Sequence, residues 1–329
     1  MPTDPRGIHH VTGLVGDPQQ TVDVYAGILG LHLGTVTVNF EDILQYHLYV
    51  GDTRGTPGSV FTAFPDPHAQ PGRIGSPQPA AVAFAVPDRS LEYWRDRLEE
   101  HDIAVEGPVT RFDDRLLRFE DPVGTRLELV ARSPDTIDSA IEPPSSGPVP
   151  IEHAIRGLDG VSILPVDPYA TARTLELFGL EYDDERVGRV RYRTPGTQAT
   201  IVDVLDLEAE FGREGPGTIH HVALRVSDEA ALVEWRERLD DRGYDVSRVK
   251  DRHFFHSLYV REPGGILLEL ATETDGVAVR DPESTEDPSI YLPDWFEPDR
   301  ELIESQLPAL RRPTDRHESP ASSRGGADP

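Results

Sequence analysis

The chain has 329 residues, 37% of them hydrophobic and including three Trp, eleven Phe and ten Tyr, enough to build the cores of two ordinary domains. Cysteine is absent, which excludes disulfides, thiolate nucleophiles and cysteine-ligated zinc or iron–sulfur sites, so any metal must be held by nitrogen and oxygen. The formal charge of -27, from 59 acidic against 32 basic residues with Lys250 the single lysine, excludes nucleic acid as a partner and reads as a solvated surface adapted to high salt.

No apolar run approaches the roughly 20 residues needed to cross a bilayer, and Met1 to Arg6 lacks the basic and apolar segments of a signal peptide. The expectation is a protein of a halophilic cytoplasm, with no membrane partner and with a second copy of the chain, in a homo-oligomer, as a candidate partner.

Four units follow one another along the chain, each reading strand, helix, strand, strand, strand. The first has a strand at Val11 to Val15, a turn at Gly16-Asp17-Pro18, a helix carrying Val22, Tyr25, Ile28 and Leu29, then strands near Thr35 to Asn39, Gln45 to Val50 and Ser59 to Phe64. The second has a strand at Ala80 to Val86, a cap at Asp88 or Ser90, a helix with Leu91, Trp94 and Leu98, and strands near Val105, Leu116 to Glu120 and Arg126 to Val130. The third is the shortest: a strand around Gly157 to Val161, a turn at Asp167-Pro168, a helix with Ala172, Leu175 and Phe178, and a closing strand at Ala199 to Val202. The fourth begins at Thr218, caps a helix at Ser227, presents Leu232, Trp235 and Leu239 on one face, and closes through Ser257 to Val260 and Ile266 to Ala271.

The fold class is therefore α+β, four βαβββ modules forming two paired half-barrels. The domain reading is 1–135 for the first pair, 136–150 for a Pro- and Ser-rich linker, 151–275 for the second pair, 276–310 for a packing extension with a short helix, and 311–329 for a disordered tail.

Ile8-His9-His10-Val11 recurs as Ile219-His220-His221-Val222. Aligning first strands puts His10 and His221 in one slot, with Ala81 and Gly160 as equivalents. Aligning on the glycine before each last strand puts Thr62, Glu128, Thr200 and Glu269 in another. A set of three ligands then requires His10, His221 and Glu269, so unit one must pack beside unit four, leaving units two and three as a metal-free half. In each pair one His faces the interior and its neighbour supports it from behind. Two imidazoles and one carboxylate leave about three octahedral positions open, which suits Fe(II) receiving a chelating substrate and O2. Thr62 in the remaining slot argues against the four-ligand set of a Lewis-acid isomerase.

Three segments, 7–12 with 25–31, 38–52, and 251–269 ending at Leu268-Glu269, resemble the vicinal oxygen chelate superfamily, and within it the dioxygenases that open hydroquinone-type rings. The resemblance covers about residues 6–310, including Leu292 to Pro298. It implies the vicinal oxygen chelate fold, Fe(II) or Mn(II) on His10, His221 and Glu269, and His9, His220, Arg252 and Tyr259 around a small aromatic diol and O2. A neutral imidazole can take a hydroxyl proton, a phenol can hydrogen-bond a bound phenolate, and Arg can stabilise negative charge developing on oxygen. His256 is a further acid–base candidate. The loop 41–45 and the segment Ala63 to Asp66 depart from the family pattern and are placed to line the substrate mouth. Two other readings stand beside the dioxygenase: a glyoxalase-like metal-dependent isomerase or lyase, and a non-catalytic module that sequesters a drug or quinone.

Overall fold

In the computed structural model, residues 4–137, 139–196, 198–274, 276 and 290–311 are described. Unit one comprises β1 (Ile8–Val15), α1 (Pro18–Val22) running into a π turn (Asp23–Ile28), β2 (His32–Asn39), β3 (Asp42–Gly51) and β4 (Val60–Pro65). Unit two comprises β5 (Gln78–Pro87), α2 (Leu91–Glu100), β6 (Val105–Arg111), β7 (Asp114–Glu120) and β8 (Arg126–Arg132). Unit three comprises β9 (Leu158–Leu164), α3 (Pro168–Leu177), β10 (Glu181–Arg186), β11 (Arg189–Arg193) and β12 (Ile201–Leu205). Unit four comprises β13 (Thr218–Val226), α4 (Glu229–Asp240), the short pieces β14 (Asp245–Val246) and β15 (Lys250–Asp251), β16 (His256–Arg261) and β17 (Leu267–Thr272); α5 (Arg300–Gln306) follows.

The four modules form two sheets. One has the order β14-β16-β17-β13-β1-β4-β3-β2, with β15 on β16, and so joins units one and four; the other, β10-β11-β12-β9-β5-β8-β7-β6, joins units two and three. In each sheet the first strands of two modules pair antiparallel, β1 with β13 and β5 with β9. Apolar alternation on these strands, together with Trp94 and Trp235 from α2 and α4, both fully buried, feeds one continuous core shared by all four modules. The inner faces that remain form two bowls.

The structure corrects three local expectations. Unit three is a complete module: its two hairpin strands were hidden because Glu181 to Arg193 is charged on both faces. The cap of α4 is Asp228, whose side chain accepts from the Ala231 amide, rather than Ser227. The carboxylate slot of unit three is Asp203, not Thr200. Parallel pairing puts Asp203 beside Ser162, as Glu128 lies beside Ala83 and Glu269 beside Ala223. The loop from Gly196 to Ile201 is longer than its counterparts, so counting from the glycine lands three residues short.

The extension packs back on the body through Tyr291, whose amide donates to the Val36 carbonyl, and Trp295, whose ring meets Phe40 edge to face. The tail expectation lies outside the described residues beyond Arg311. No described helix is long and apolar enough to cross a membrane.

Candidate metal centre

Across the β1–β13 pair, Thr12 stands opposite His221 and His10 opposite Ala223, and β17 runs parallel to β13 with Glu269 beside Ala223. This register brings His10, His221 and Glu269 to one inner face with 3%, 2% and 0% exposure. Their Nε2 atoms are 3.3 Å apart, and Glu269 Oε2 lies 3.3 Å from His10 Nε2 and 2.8 Å from His221 Nε2. One face of an octahedron with bonds of about 2.1 Å has edges of about 3 Å, so the triangle fits a divalent metal. Among the described residues it is the one cluster of three donors able to do so.

The neighbours of the ligands are positioned by bulges. Between Ile8 and His10 the register with β13 skips His9, and between Thr12 and Gly13 it skips His220. An extra residue re-aims its side chain instead of sending it to the far face. His9 Nδ1 thereby lies 2.8 Å from His10 Nδ1, and His220 Nδ1 lies 2.7 Å from His221 Nδ1. Each contact needs one protonated and one bare nitrogen. With the proton of His10 and of His221 on Nδ1, both Nε2 lone pairs and the Glu269 carboxylate face one buried point, where the Thr12 hydroxyl also lies 2.9 Å from His221 Nε2. A cation placed between them would satisfy all three groups at once.

The charge states agree. Burial lowers His221 to about 4, against the pull of Glu269, so it is neutral near pH 7. Burial, with His10 beside it, lowers His9 well below its ordinary value, and burial lowers His220 too. For Glu269, burial alone would raise the carboxyl, but charge and hydrogen bonds from His10 and His221 outweigh it and hold it well below the usual range, so in the metal-free chain a proton shared with the imidazoles stands where a cation would.

The site opens into a cavity of about 420 Å³. Its wall from unit four carries Tyr259, cross-strand from Glu269 and edge-on to His221 at 5.3 Å between ring centroids. Arg252 Nη2 donates to the Tyr259 hydroxyl at 3.2 Å and also reaches Glu41 at 3.2 Å, while Lys250 pairs with the same carboxylate. Glu41 and Phe64, from the two divergent segments, do line this mouth. Burial and Glu269 push the Tyr259 phenol well above 10, so it keeps its proton.

Of the residues singled out from sequence, His10, His221, His220, Arg252 and Tyr259 border the cavity. His9 does not; it stands behind His10, against Phe255. His256 does not either, because alternation along β16 places it with Leu258 and Val260 on the face opposite Tyr259. Sequence reasoning missed Thr12, which bonds His221 Nε2 at 2.9 Å and Thr62 Oγ1 at 2.7 Å. It also missed His47 and Tyr49 on the wall from unit one. The doublet spacing of His47 and Tyr49 on β3, matching an inward face, was the available signal.

The other bowl has Glu128 and Asp203 in the carboxylate slots but Ala81 and Gly160 in place of imidazoles. Each acid is met by guanidinium groups instead: Arg111 and Arg118 on Glu128, and Arg189 and Arg191 on Asp203. It is a structural ion-pair network.

Residues 7–129 and 172–270 match the model of the Glyoxalase/Bleomycin resistance protein/Dioxygenase superfamily. Among curated relatives, MhqO of Bacillus subtilis (strain 168), provisionally named a ring-cleaving dioxygenase, is 37% identical over 92% of this chain and 95% of its own. The chlorohydroquinone/hydroquinone 1,2-dioxygenase of Sphingobium indicum is 31% identical over 82% of this chain and 86% of its own. A crystal structure from Bacillus subtilis subsp. subtilis str. 168, provisionally described as a dioxygenase, superposes with a TM-score of 0.85 at 34% identity, covering 94% of this chain and 98% of that one. Glyoxalase I from Zea mays shares the fold alone, with a TM-score of 0.60 at 16% identity over 83% of this chain and 94% of that one. The chain belongs to the Glyoxalase/Bleomycin resistance protein/Dioxygenase superfamily and, with these dioxygenase relatives, is an oxidoreductase enzyme.

Proposed function

We propose that the protein is a cytoplasmic nonheme dioxygenase that opens the ring of a small aromatic diol, a hydroquinone or catechol, using O2 and a divalent metal, Fe(II) or Mn(II), on His10, His221 and Glu269. The observation that carries the reading is the open side of the triad. Three buried ligands converge from one face, and the other side is a cavity of about 420 Å³, large enough for one aromatic ring. Bound there, Fe(II) or Mn(II) supplies a redox-active Lewis-acidic centre on which a substrate oxygen and O2 can be brought together.

The chain's own groups divide the remaining work. With a metal on His221 Nε2, the His221 proton sits on Nδ1 and is donated to His220 Nδ1, 2.7 Å away, so that His220 would present its Nε2 proton to the cavity. His9 plays the same part toward His10 from outside the cavity, orienting the ring and raising its basicity. Arg252 stays charged: burial disfavours the cation, but Tyr259, Glu269 and Glu41 together more than offset it. The Tyr259 hydroxyl and the Arg252 guanidinium thus form a fixed pair of donors facing negative charge that develops on oxygen. Phe64 and Phe255 supply apolar ring contact.

The slot that would hold a fourth ligand for a glyoxalase-like isomerase is Thr62, engaged with Thr12. The test is anaerobic reconstitution with Fe(II), then exposure to O2 with a panel of hydroquinones and catechols. A ring-opened chromophore that is lost in His221→Ala supports the proposal. Metal binding without ring opening of any diol overturns it.

A further inference from the structure

The second bowl has Ala81 and Gly160 where the first has His10 and His221, and the space is left open. Units two and three enclose a cavity of about 680 Å³, larger than the one at the metal centre. Ala81, Phe119, Leu127 and Leu205 give it an apolar wall. Two guanidinium groups stand in that wall. Arg118 is cross-strand from Glu128 as Tyr259 is from Glu269, so it takes the place of the phenol that faces the metal centre. Arg189 lies on β11, two residues before Arg191, the cross-strand partner of Asp203. Both arginines line the cavity, with 38% and 18% of their side chains exposed.

The ion-pair network behind this wall holds more cation than anion. Arg111, Arg118, Arg132, Arg189 and Arg191 meet Asp114, Glu128, Asp159 and Asp203, one carboxylate short. Glu106, a further partner of Arg118, is 65% exposed and 3.6 Å away, where water screens it. Arg126 and Glu120, also at the cavity, pair with each other at its exposed rim. This surplus stands in a chain whose formal charge is -27.

The shortfall falls on Arg189. Arg111 also has Glu128 and Arg191 also has Asp114, whereas Arg189 has only Asp203, which all three share. Its Nη1 donates to Asp203 at 2.9 Å and to Ser162 at 2.7 Å, which holds the group in place, while Nε and Nη2 make no hydrogen bond among the described residues. Arg118 bonds only through Nε, to Glu128 at 3.4 Å. Burial, with Arg111 nearby, keeps the Arg189 guanidinium below its ordinary value in spite of Asp203 and Glu128. An anion in the cavity would offset that penalty.

We infer that the second bowl is a binding site for a small carboxylate with an apolar body, its head accepting from Arg118 and Arg189 and its body lying against Ala81, Phe119, Leu127 and Leu205. The head carries one charge because the network lacks one. A planar carboxylate matches the fork of a guanidinium, and a cavity of about 680 Å³ is in the range that encloses a small molecule. Glu128 does not oppose the head, since one of its oxygens is taken by Arg111 and the other by Arg118. The site lies on the other sheet from the metal centre and does not depend on the diol-cleaving reading.

The experiment is calorimetric titration of the Mn(II)-loaded full chain with benzoate and hexanoate, and with benzamide and hexanamide as their neutral counterparts. The natural sequence is expected to prefer each acid over its amide by about 10- to 100-fold, the range of hydrogen bonds to a charged group. Arg189→Met should abolish the preference while leaving amide affinity unchanged, Arg118→Met should reduce it, and Arg189→Lys should keep part of it. In both Met variants Asp203 retains Arg191 and Glu128 retains Arg111, so neither acid is left alone and melting temperatures should stay close to that of the natural sequence. If Arg189→Met does not fold, Arg118→Met, at a half-exposed position, decides. His221→Ala, which removes a donor from the first bowl, should leave the preference intact. A preference lost in His221→Ala and kept in the arginine variants would assign the carboxylate to the metal centre and overturn the inference. Equal affinity for acid and amide, or no binding of either acid up to about 10 mM, would overturn it as well.

Discussion

His9 and His220 occupy equivalent places, each the extra residue of a β-bulge where β1 meets β13. The pairing of β5 with β9 skips Ala80 and Asp159 at the same two points. All four modules therefore share the bulge, and only units one and four place imidazoles on it and on the residue that follows. With a metal on the Nε2 atoms of His10 and His221, each bulged His would accept from the neighbouring Nδ1, so replacing it with Phe removes the group that orients that ring. His9→Phe and His220→Phe are each expected to weaken Mn(II) or Fe(II) binding by about 10- to 100-fold, read by competition with a chelator. At saturating metal His9→Phe should recover most of its turnover, since His9 is outside the cavity. His220→Phe should not.

The second bowl yields a stability prediction. Arg111 and Glu128 are both buried and paired with each other. Arg111→Met leaves Glu128 with only the half-exposed Arg118, and is expected to cost about 3–5 kcal/mol in denaturant unfolding. Arg111→Met combined with Glu128→Leu should recover most of that loss, because no buried charge is then left alone. A loss under about 1 kcal/mol in the single variant would show that the network is not structural.

Acid should weaken the metal-free fold. His221 is lowered from 6.5 to about 4 in the folded chain, so between those values the unfolded chain binds a proton that the folded chain refuses, and stability falls as pH falls through that window. His9 and His220 shift in the same direction. Glu269 adds stability above its ordinary 4.5 that is lost only on further acidification, since its folded value is lower still. Melting temperatures of chelator-treated protein from pH 7 to pH 5, in high salt so that surface charge is screened, are expected to drop, and less steeply in His221→Ala. A flat profile would count against neutral buried imidazoles.

Salt should stabilise the protein. With a formal charge of -27 the surface repels itself in dilute buffer, and at 1 M salt the screening length shrinks to about 3 Å. The melting temperature is expected to rise between about 0.1 M and 1 M NaCl. An unchanged or lower value would remove the high-salt reading of the composition.

The clustering of His10, His221 and Glu269 was legible in the sequence because parallel pairing within a module fixes which residue of the last strand lies beside which residue of the first. His10, Ala81, Gly160 and His221 share their slot in the structure as they do in the alignment, and so do Thr62, Glu128 and Glu269. The same count failed at Asp203 because it assumed equal loop lengths after the glycine. Plain strand alternation misassigned how His9 and His220 reach their neighbours, since a bulge depends on cross-strand pairing that a single strand does not display. His47 and Tyr49 share one face of β3 by their spacing, but which face turns toward the cavity is set by cross-strand pairing that β3 alone does not display.

The measurement that bears most directly on the account is the ratio of O2 consumed to diol consumed by Fe(II)-loaded protein, followed together with hydrogen peroxide. Ring opening with both oxygen atoms kept in the product predicts one O2 per diol and no peroxide. Oxidation of the diol to a quinone with release of peroxide would contradict it, because the site would then be an oxidase on the same scaffold.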